Sequence, residues 1–320
     1  MEPRGAVAVV TGGGGGIGLE LCRELLAGGA HGVCVVDNSA ARLEGALSAL
    51  GCPERVSAHA VDVTSLAEVE RLRGEVLARW GRVSMLFNNA GVVAANNLLD
   101  SSWSELKLVV DVNLWGAIHC TKVLLPELAK EPRAAVVSTS SLEGLIAIPG
   151  NVAYCTSKYA IRGFSEALAL DLGITHPHVL VSVVCPGLVA TQMLHNNRER
   201  VRTDHLDAGG NVERLLGFKP TVQGIERGFR ALASTTPEAA AQQVLAGVRA
   251  GRRRVLVGTD TVILDLISRL LPNLFYNRLV YALSLSLSLL LARVVGKKTL
   301  ALAAALLLLQ RRAPWRAAES

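Results

Sequence analysis

Ala6-Val7-Ala8-Val9-Val10-Thr11 runs directly into Gly12-Gly13-Gly14-Gly15-Gly16-Ile17-Gly18, and that turn runs into Leu19-Glu20-Leu21-Cys22-Arg23-Glu24-Leu25-Leu26. The first stretch is apolar at both parities, as a parallel strand buried on both faces must be. The last has apolar residues at helical spacing. A glycine turn between a strand and a helix N-terminus is a ready pyrophosphate site, because the first-turn N–H groups and the helix dipole face it. Glycines there let backbone approach phosphate and reach φ values other residues avoid. A flexible Gly-rich linker is the alternative, but a linker is not clamped between a strand and a helix.

Outward from this stretch, strands alternate with helices. Strands read at 6–11, 32–37, 56–61, 83–87, 134–139, 179–184 and 253–257, and helices at 16–28, 40–50, 65–80, 102–129, 152–173 and 237–250. Such alternation predicts an α/β fold, a doubly wound (Rossmann) seven-stranded parallel sheet with helices on both faces. Ser65 and Glu68 have the spacing of a capping box. Residues 192–235 are polar and poorly periodic. One catalytic domain is expected over 1–258, followed by a hydrophobic, basic helical tail over 259–320.

The 320 residues are 50% apolar, enough for one large core, and carry a formal charge of +6. That charge is uneven. Residues 1–251 hold 22 basic and 24 acidic side chains, and residues 252–320 hold 11 and 3. The basic excess belongs to the tail, which argues against nucleic acid and for a membrane surface or an acidic partner. The six cysteines are scattered with no Cys-x-x-Cys, which suits a reducing compartment. The histidines show no metal-ligand spacing, and no metal is expected. Arg4 before an apolar run resembles a signal peptide, but the run is the first strand, so secretion is not expected.

In the tail, Leu279–Ala292 and Thr299–Leu309 carry no charge, and Lys297, Lys298, Arg311, Arg312, Trp315 and Arg316 flank them. Each is shorter than the ~20 residues of a straight span. Apolar stretches bordered by basic residues and Trp suit a membrane interface. A helix packed on the body or on a second subunit is the other reading. The expected location is the cytoplasmic face of a membrane, the endoplasmic reticulum in a eukaryote, or otherwise the cytoplasm.

Five residues carry a chemical reading. Tyr154 and Lys158 lie four apart, on one face of a helix, and Ser141 precedes them. A cation beside a phenol favours the phenolate, so Lys158 is expected to lower the Tyr154 pKa while Ser141 holds a substrate oxygen. Taken alone, Tyr-x-x-x-Lys also fits an exposed helix face. Asp37 ends the second strand, where a carboxylate can bind the adenosine ribose hydroxyls of NAD and repel the 2′-phosphate of NADP. A strand-end turn is its alternative. Asn113 lies inside an apolar helix, a poor place for an amide unless its side chain is used.

Thr11-Gly12-x-x-x-Gly16-Ile17-Gly18, Asn88-Asn89-Ala90-Gly91, Asn113, Ser141, Tyr154-x-x-x-Lys158 and Pro186-Gly187 resemble, in order and spacing, the motifs of the short-chain dehydrogenase/reductases, over about residues 5–258. The resemblance implies Ser141, Tyr154, Lys158 and Asn113 as catalytic residues, with Asn113 holding a water that links the lysine to solvent. It implies cofactor contacts from Gly12, Gly16, Ile17, Gly18, Asp37, Asp62, Val63, Asn89, Ala90, Gly91, Tyr154, Lys158, Pro186, Gly187, Val189 and Thr191, the last four meeting the nicotinamide end. Residues 192–235 then correspond to the substrate loop. Glu143 and Thr156 depart from the family's usual small residues.

The expected function is hydride transfer between NAD and a secondary alcohol or ketone, with a lipophilic substrate of steroid, retinoid, prostanoid or fatty type. Ser140-Ser141-Leu142 with Tyr154-Cys155 is similar to hydroxyprostaglandin-type members. The alternatives are an NADP-dependent carbonyl reductase and a non-catalytic NAD-binding scaffold at a membrane. A homodimer or homotetramer is expected through the helices at 102–129 and 152–173.

Overall fold

Strand β1, Val7–Thr11, is buried at every position, and its two parities serve different layers. Ala8 and Val10 pack with Leu21, Leu25, Val244 and Leu245. Val7 and Val9 pack with Val69, Leu72, Leu124 and Leu128 on the other side. Full burial of each such aliphatic side chain contributes about 1.5–3 kcal/mol. The sheet is completed by β2 Gly32–Asp37, β3 Val56–Ala60, β4 Met85–Asn88, β5 Ala134–Thr139, β6 Val179–Pro186 and β7 Arg254–Val257. All pairs are parallel, in the order β3-β2-β1-β4-β5-β6-β7. The order reverses between β1 and β4, and a doubly wound sheet opens its ligand crevice at the carboxyl ends there. The computed structural model describes residues 1–270 apart from 97, 149, 202–228 and 230–232. Most of the expected substrate loop, and the tail beyond 270, lie outside the described residues.

Helices α1 Gly16–Ala27, α2 Ala40–Leu50 and α3 Leu66–Trp80 follow the first three strands. The long helix expected at 102–129 is interrupted. It consists of α4 Trp103–Val110, a π turn Asp111–Trp115, and α5 Gly116–Leu128. The interruption holds Asn113, whose side chain is committed to groups outside the helix and competes with the regular backbone pattern. The run Trp103–Leu128 is long enough to cross a membrane and holds an apolar stretch of mean hydropathy 1.4. Its Cys120, Leu124 and Leu128 are nevertheless fully buried against the sheet layer. The remaining helices are α6 Val152–Thr175, the short α7 Met193–Asn196, α8 Pro237–Arg249 and α9 Thr259–Leu270.

Two expectations are corrected. The Ser65 box is half formed: Ser65 accepts from Glu68 N at 3.4 Å, but the Glu68 carboxylate reaches back to Asp62 N at 2.9 Å. The complete box is at Ser102 and Glu105. The boundary at 258 also falls too early. Helix α9 begins at Thr259 and packs on the body, with Asp260, Thr261, Leu264 and Asp265 buried. Leu264 is fully covered and packs with Leu142 and Ile146, which follow β5.

A chain ending at Gly258 should therefore melt well below one ending at Leu270, since removing a buried Leu alone costs about 2–5 kcal/mol. Thermal unfolding of the two truncations checks this, and equal midpoints would place α9 outside the folded body.

Candidate active site

The glycine turn is held by contact with the end of β4. Gly12 has φ +62°, and a Cβ there would lie 2.9 Å from Ala90 Cα. A Cβ on Gly18 would overlap the Gly12 carbonyl oxygen. Thr11 Oγ1 accepts from Asn89 N at 3.0 Å and Ala90 N at 3.1 Å. The Asn89 amide donates to Thr11 O and Gly12 O. Helices α2, α3, α4 and α8 start on the side chains of Ser39, Ser65, Ser102 and Thr236, whereas α1 starts on Gly15, which has none to accept from its first turn. Gly16, Ile17 and Gly18 thus present an uncapped helix start, the chemistry a pyrophosphate fits.

At the end of β2 the buried Asp37 carboxylate accepts from Gly14 N at 3.3 Å and Ser39 N at 3.0 Å. Arg42 on α2 pairs with the same carboxylate, Nη2 to Oδ1 at 2.6 Å. The sequence reading missed this guanidinium, which stands five positions after Asp37 at a helix start facing the glycine turn. Asp62 lies on the surface just past β3, where its Oδ1 accepts from Thr64 N and Oγ1. Val63 is buried against Gly116, and its carbonyl bonds His119 Nδ1 at 3.0 Å.

Across the crevice, Ser141 caps a short 3-10 turn after β5, its Oγ accepting from Glu143 N at 3.1 Å. This bond occupies a hydroxyl lone pair and leaves the O–H proton able to donate to a substrate oxygen. Tyr154 and Lys158 share one face of α6, with Lys158 Nζ 5.4 Å from the ring centroid. Lys158 is 2% exposed, and its Nζ donates to Thr139 O at 3.0 Å. An ammonium has three donors, so two remain to be directed at a ligand. Asn113 binds Val92 on both backbone groups, at 2.8 and 2.9 Å, and donates to Ser157 Oγ at 3.0 Å. Gly91 covers both groups: a Cβ there would lie 3.3 Å from Asn113 Oδ1 and 3.5 Å from Lys158 Nζ.

Burial governs the charges. It pushes the Tyr154 phenol up, with the Glu143 carboxylate adding to the rise and the Ser141 hydroxyl opposing it. The lowering expected from Lys158 does not prevail. Burial also brings the Lys158 ammonium down to about 8, while Glu143 holds it up. Glu143 itself is pushed up to about 7 by burial, against bonds from Cys155 and Asn151 and the Lys158 charge. The Cys155 thiol meets the Glu143 carboxylate at 3.3 Å.

After β6 the chain turns through Pro186-Gly187 to Val189, which is buried, and Thr191, whose Cγ2 would lie 3.4 Å from a Cβ on Gly16. The loop thus closes on the glycine turn. The expected site residues on loops follow the carboxyl ends of β1, β2, β3, β4, β5 and β6, and Asn113, Tyr154 and Lys158 come from the π turn and α6.

The family model for short chain dehydrogenase matches residues 6–202. The chain belongs to the short-chain dehydrogenase/reductases. A short-chain dehydrogenase/reductase of this kind is an oxidoreductase of Rossmann type that uses a nicotinamide cofactor, and the uncapped α1, the glycine cradle and the Asp37 carboxylate fit one. SadH of Mycobacterium tuberculosis is 33% identical over 280 residues, 87% of this chain and 95% of that one. Meso-2,3-butanediol dehydrogenase of Serratia marcescens is 33% identical over 196 residues, 61% and 76% of the two chains. A short chain dehydrogenase/reductase from Burkholderia phymatum, solved in complex with NAD, superimposes with TM-score 0.73 at 26% identity, covering 84% of this chain and 94% of that one.

Replacing Glu143 by Gln should shift the alkaline-rising limb of the oxidation pH–rate profile to lower pH, because the carboxylate beside Tyr154 raises the phenol. A profile superimposable on the wild type would place the Glu143 charge out of reach of Tyr154.

Proposed function

We propose that this chain is an NAD-dependent dehydrogenase/reductase of lipophilic secondary alcohols and ketones. The observation that carries the reading is the meeting of Ser141, Tyr154 and Lys158 at the carboxyl edge of the sheet that also bears the glycine turn and Asp37. A bound nicotinamide supplies or accepts the hydride. In the direction of reduction, Ser141 Oγ–H donates to the carbonyl oxygen and the protonated Tyr154 gives that oxygen its proton. In oxidation Tyr154 takes the proton back. Lys158 favours the phenolate that results and turns its remaining donors toward the nicotinamide ribose. Tyr154 packs among Val93, Ala94 and Val109, with Val92, Leu106 and Met193 beside them, which supports an apolar substrate. A scaffold that only bound nucleotide would have no use for the serine and tyrosine.

NAD is favoured because a buried carboxylate at Asp37 accepts ribose hydroxyls and repels a 2′-phosphate. The Asp37–Arg42 pair supports one second reading, an NADP-linked carbonyl reductase, since a guanidinium there can receive that phosphate. Under the NAD reading Asp37→Ser narrows the preference and Arg42→Ala leaves NAD affinity intact. Titration of both cofactors decides, and equal wild-type affinities would overturn the assignment.

The tail supports a further part of the reading, a hold on the cytoplasmic face of a membrane, through its uncharged stretches and basic flanks. Trp103 and Trp115, 87% and 49% exposed, and Ile174 on α6, 85% exposed, support self-association through α4, α5 and α6. Fractionation of the full chain and of a chain ending at Leu270 tests the first, and light scattering tests the second.

The central test is turnover of NAD with a panel of lipophilic secondary alcohols. Tyr154→Phe should keep NAD binding and lose about 10²–10⁴-fold in rate. A loss under about tenfold would remove Tyr154 from the proton transfer.

A further inference from the structure

We propose that Asp260, from the C-terminal helix α9, is a positioning residue that fixes the Pro186–Thr191 loop against the nicotinamide end of the cofactor. The inference rests on the nicotinamide-binding reading of that loop.

The loop's N–H groups account for how it is held. Gly187 N donates to Val257 O at 2.9 Å, Ala190 N to Thr235 O at 3.0 Å, and Thr191 N to Val189 O at 2.7 Å. Those are backbone bonds. Leu188 N donates instead to a side chain, Asp260 Oδ2, at 2.7 Å. Asp260 is 1% exposed, and its second oxygen has no partner among the described residues. A buried carboxylate is costly unless its hydrogen bonds and charge environment offset the lost hydration. Two features here offset part of that cost: the charge-assisted bond from Leu188, and the N-terminal turn of α9, where a negative charge meets the positive end of the helix dipole.

Shape agrees with charge. A Cβ on Gly187 would overlap both Asp260 carboxylate oxygens, and one on Gly258 would overlap Oδ1. The carboxylate therefore occupies the space two glycines leave, and the Gly187 backbone lies directly on it. Farther along α9, Leu264 packs on Leu142, which follows Ser141 in the 3-10 turn. One helix thus touches the support of the substrate-orienting serine and the support of the loop, and Asp260 is its polar contact with the latter. A helix-stabilising acid alone would have no need to accept from a residue 72 positions away.

The experiment compares NAD with ADP-ribose, which carries the adenosine and pyrophosphate but no nicotinamide. Dissociation constants are measured by calorimetry on the purified full chain. Asp260→Ala strands the Leu188 N–H and should weaken NAD about tenfold, with ADP-ribose binding unchanged. Asp260→Asn should restore NAD binding, because its amide oxygen still accepts. Should Asp260→Ala fail to fold, Gly187→Ala presses on the same contact and should show the same selective loss. Equal losses for both ligands, or no loss for either, would overturn the positioning role. If the wild-type chain binds neither ligand, the nucleotide reading itself falls and this inference falls with it.

Discussion

The rest of the molecule depends on the closeness with which the glycine turn meets the end of β4. Gly12 lies against Ala90 at a separation that admits no side chain, and the Thr11 hydroxyl takes the two amides that follow Asn88. That contact sets β1 beside β4, where the strand order reverses, and so opens the crevice. The phosphate cradle and the Asn113–Lys158 side of the site both begin from this junction, one through Gly12–Gly18 and the other through Gly91.

Within the crevice, burial and proximity pull in opposite directions. An ammonium, a phenol and a carboxyl share a space from which water is largely removed. Burial disfavours the charged form of each, so Lys158 falls and Tyr154 and Glu143 rise. A ligand that brings its own dipoles and completes the Lys158 hydrogen bonds would ease ionisation in this space. Glu143 is the unusual member of this set, because its carboxylate raises the same phenol that the Ser141 hydroxyl lowers.

The fold was legible because the central strands, β1 and β4 above all, are buried at both parities and every intervening helix has one apolar face, so short-range pattern carries long-range topology. The adjacency of Tyr154 and Lys158 was legible for the same reason, as a property of one helix. Arg42 was missed although it is local, because Asp37 alone reads as the ribose contact and a basic residue in the first turn of α2 carries no pattern of its own. Asp260 could not be read, since its bond to Leu188 joins two segments whose separation shows no periodicity. The uninterrupted helix at 102–129 was misread because apolar spacing is insensitive to one residue more or less in a turn.

That extra residue has its own consequence. The π turn Asp111–Trp115 is a dislocation in the hydrogen-bond register, and it phases the two helical halves against each other. In an α-helix each residue advances the azimuth by about 100°. Deleting one residue between Asp111 and Trp115 would give a smoother helix, yet it would rotate Cys120, Leu124 and Leu128 off the sheet and carry Asn113 away from Val92 and Ser157. The least regular stretch of this helix is therefore the one whose length is least negotiable.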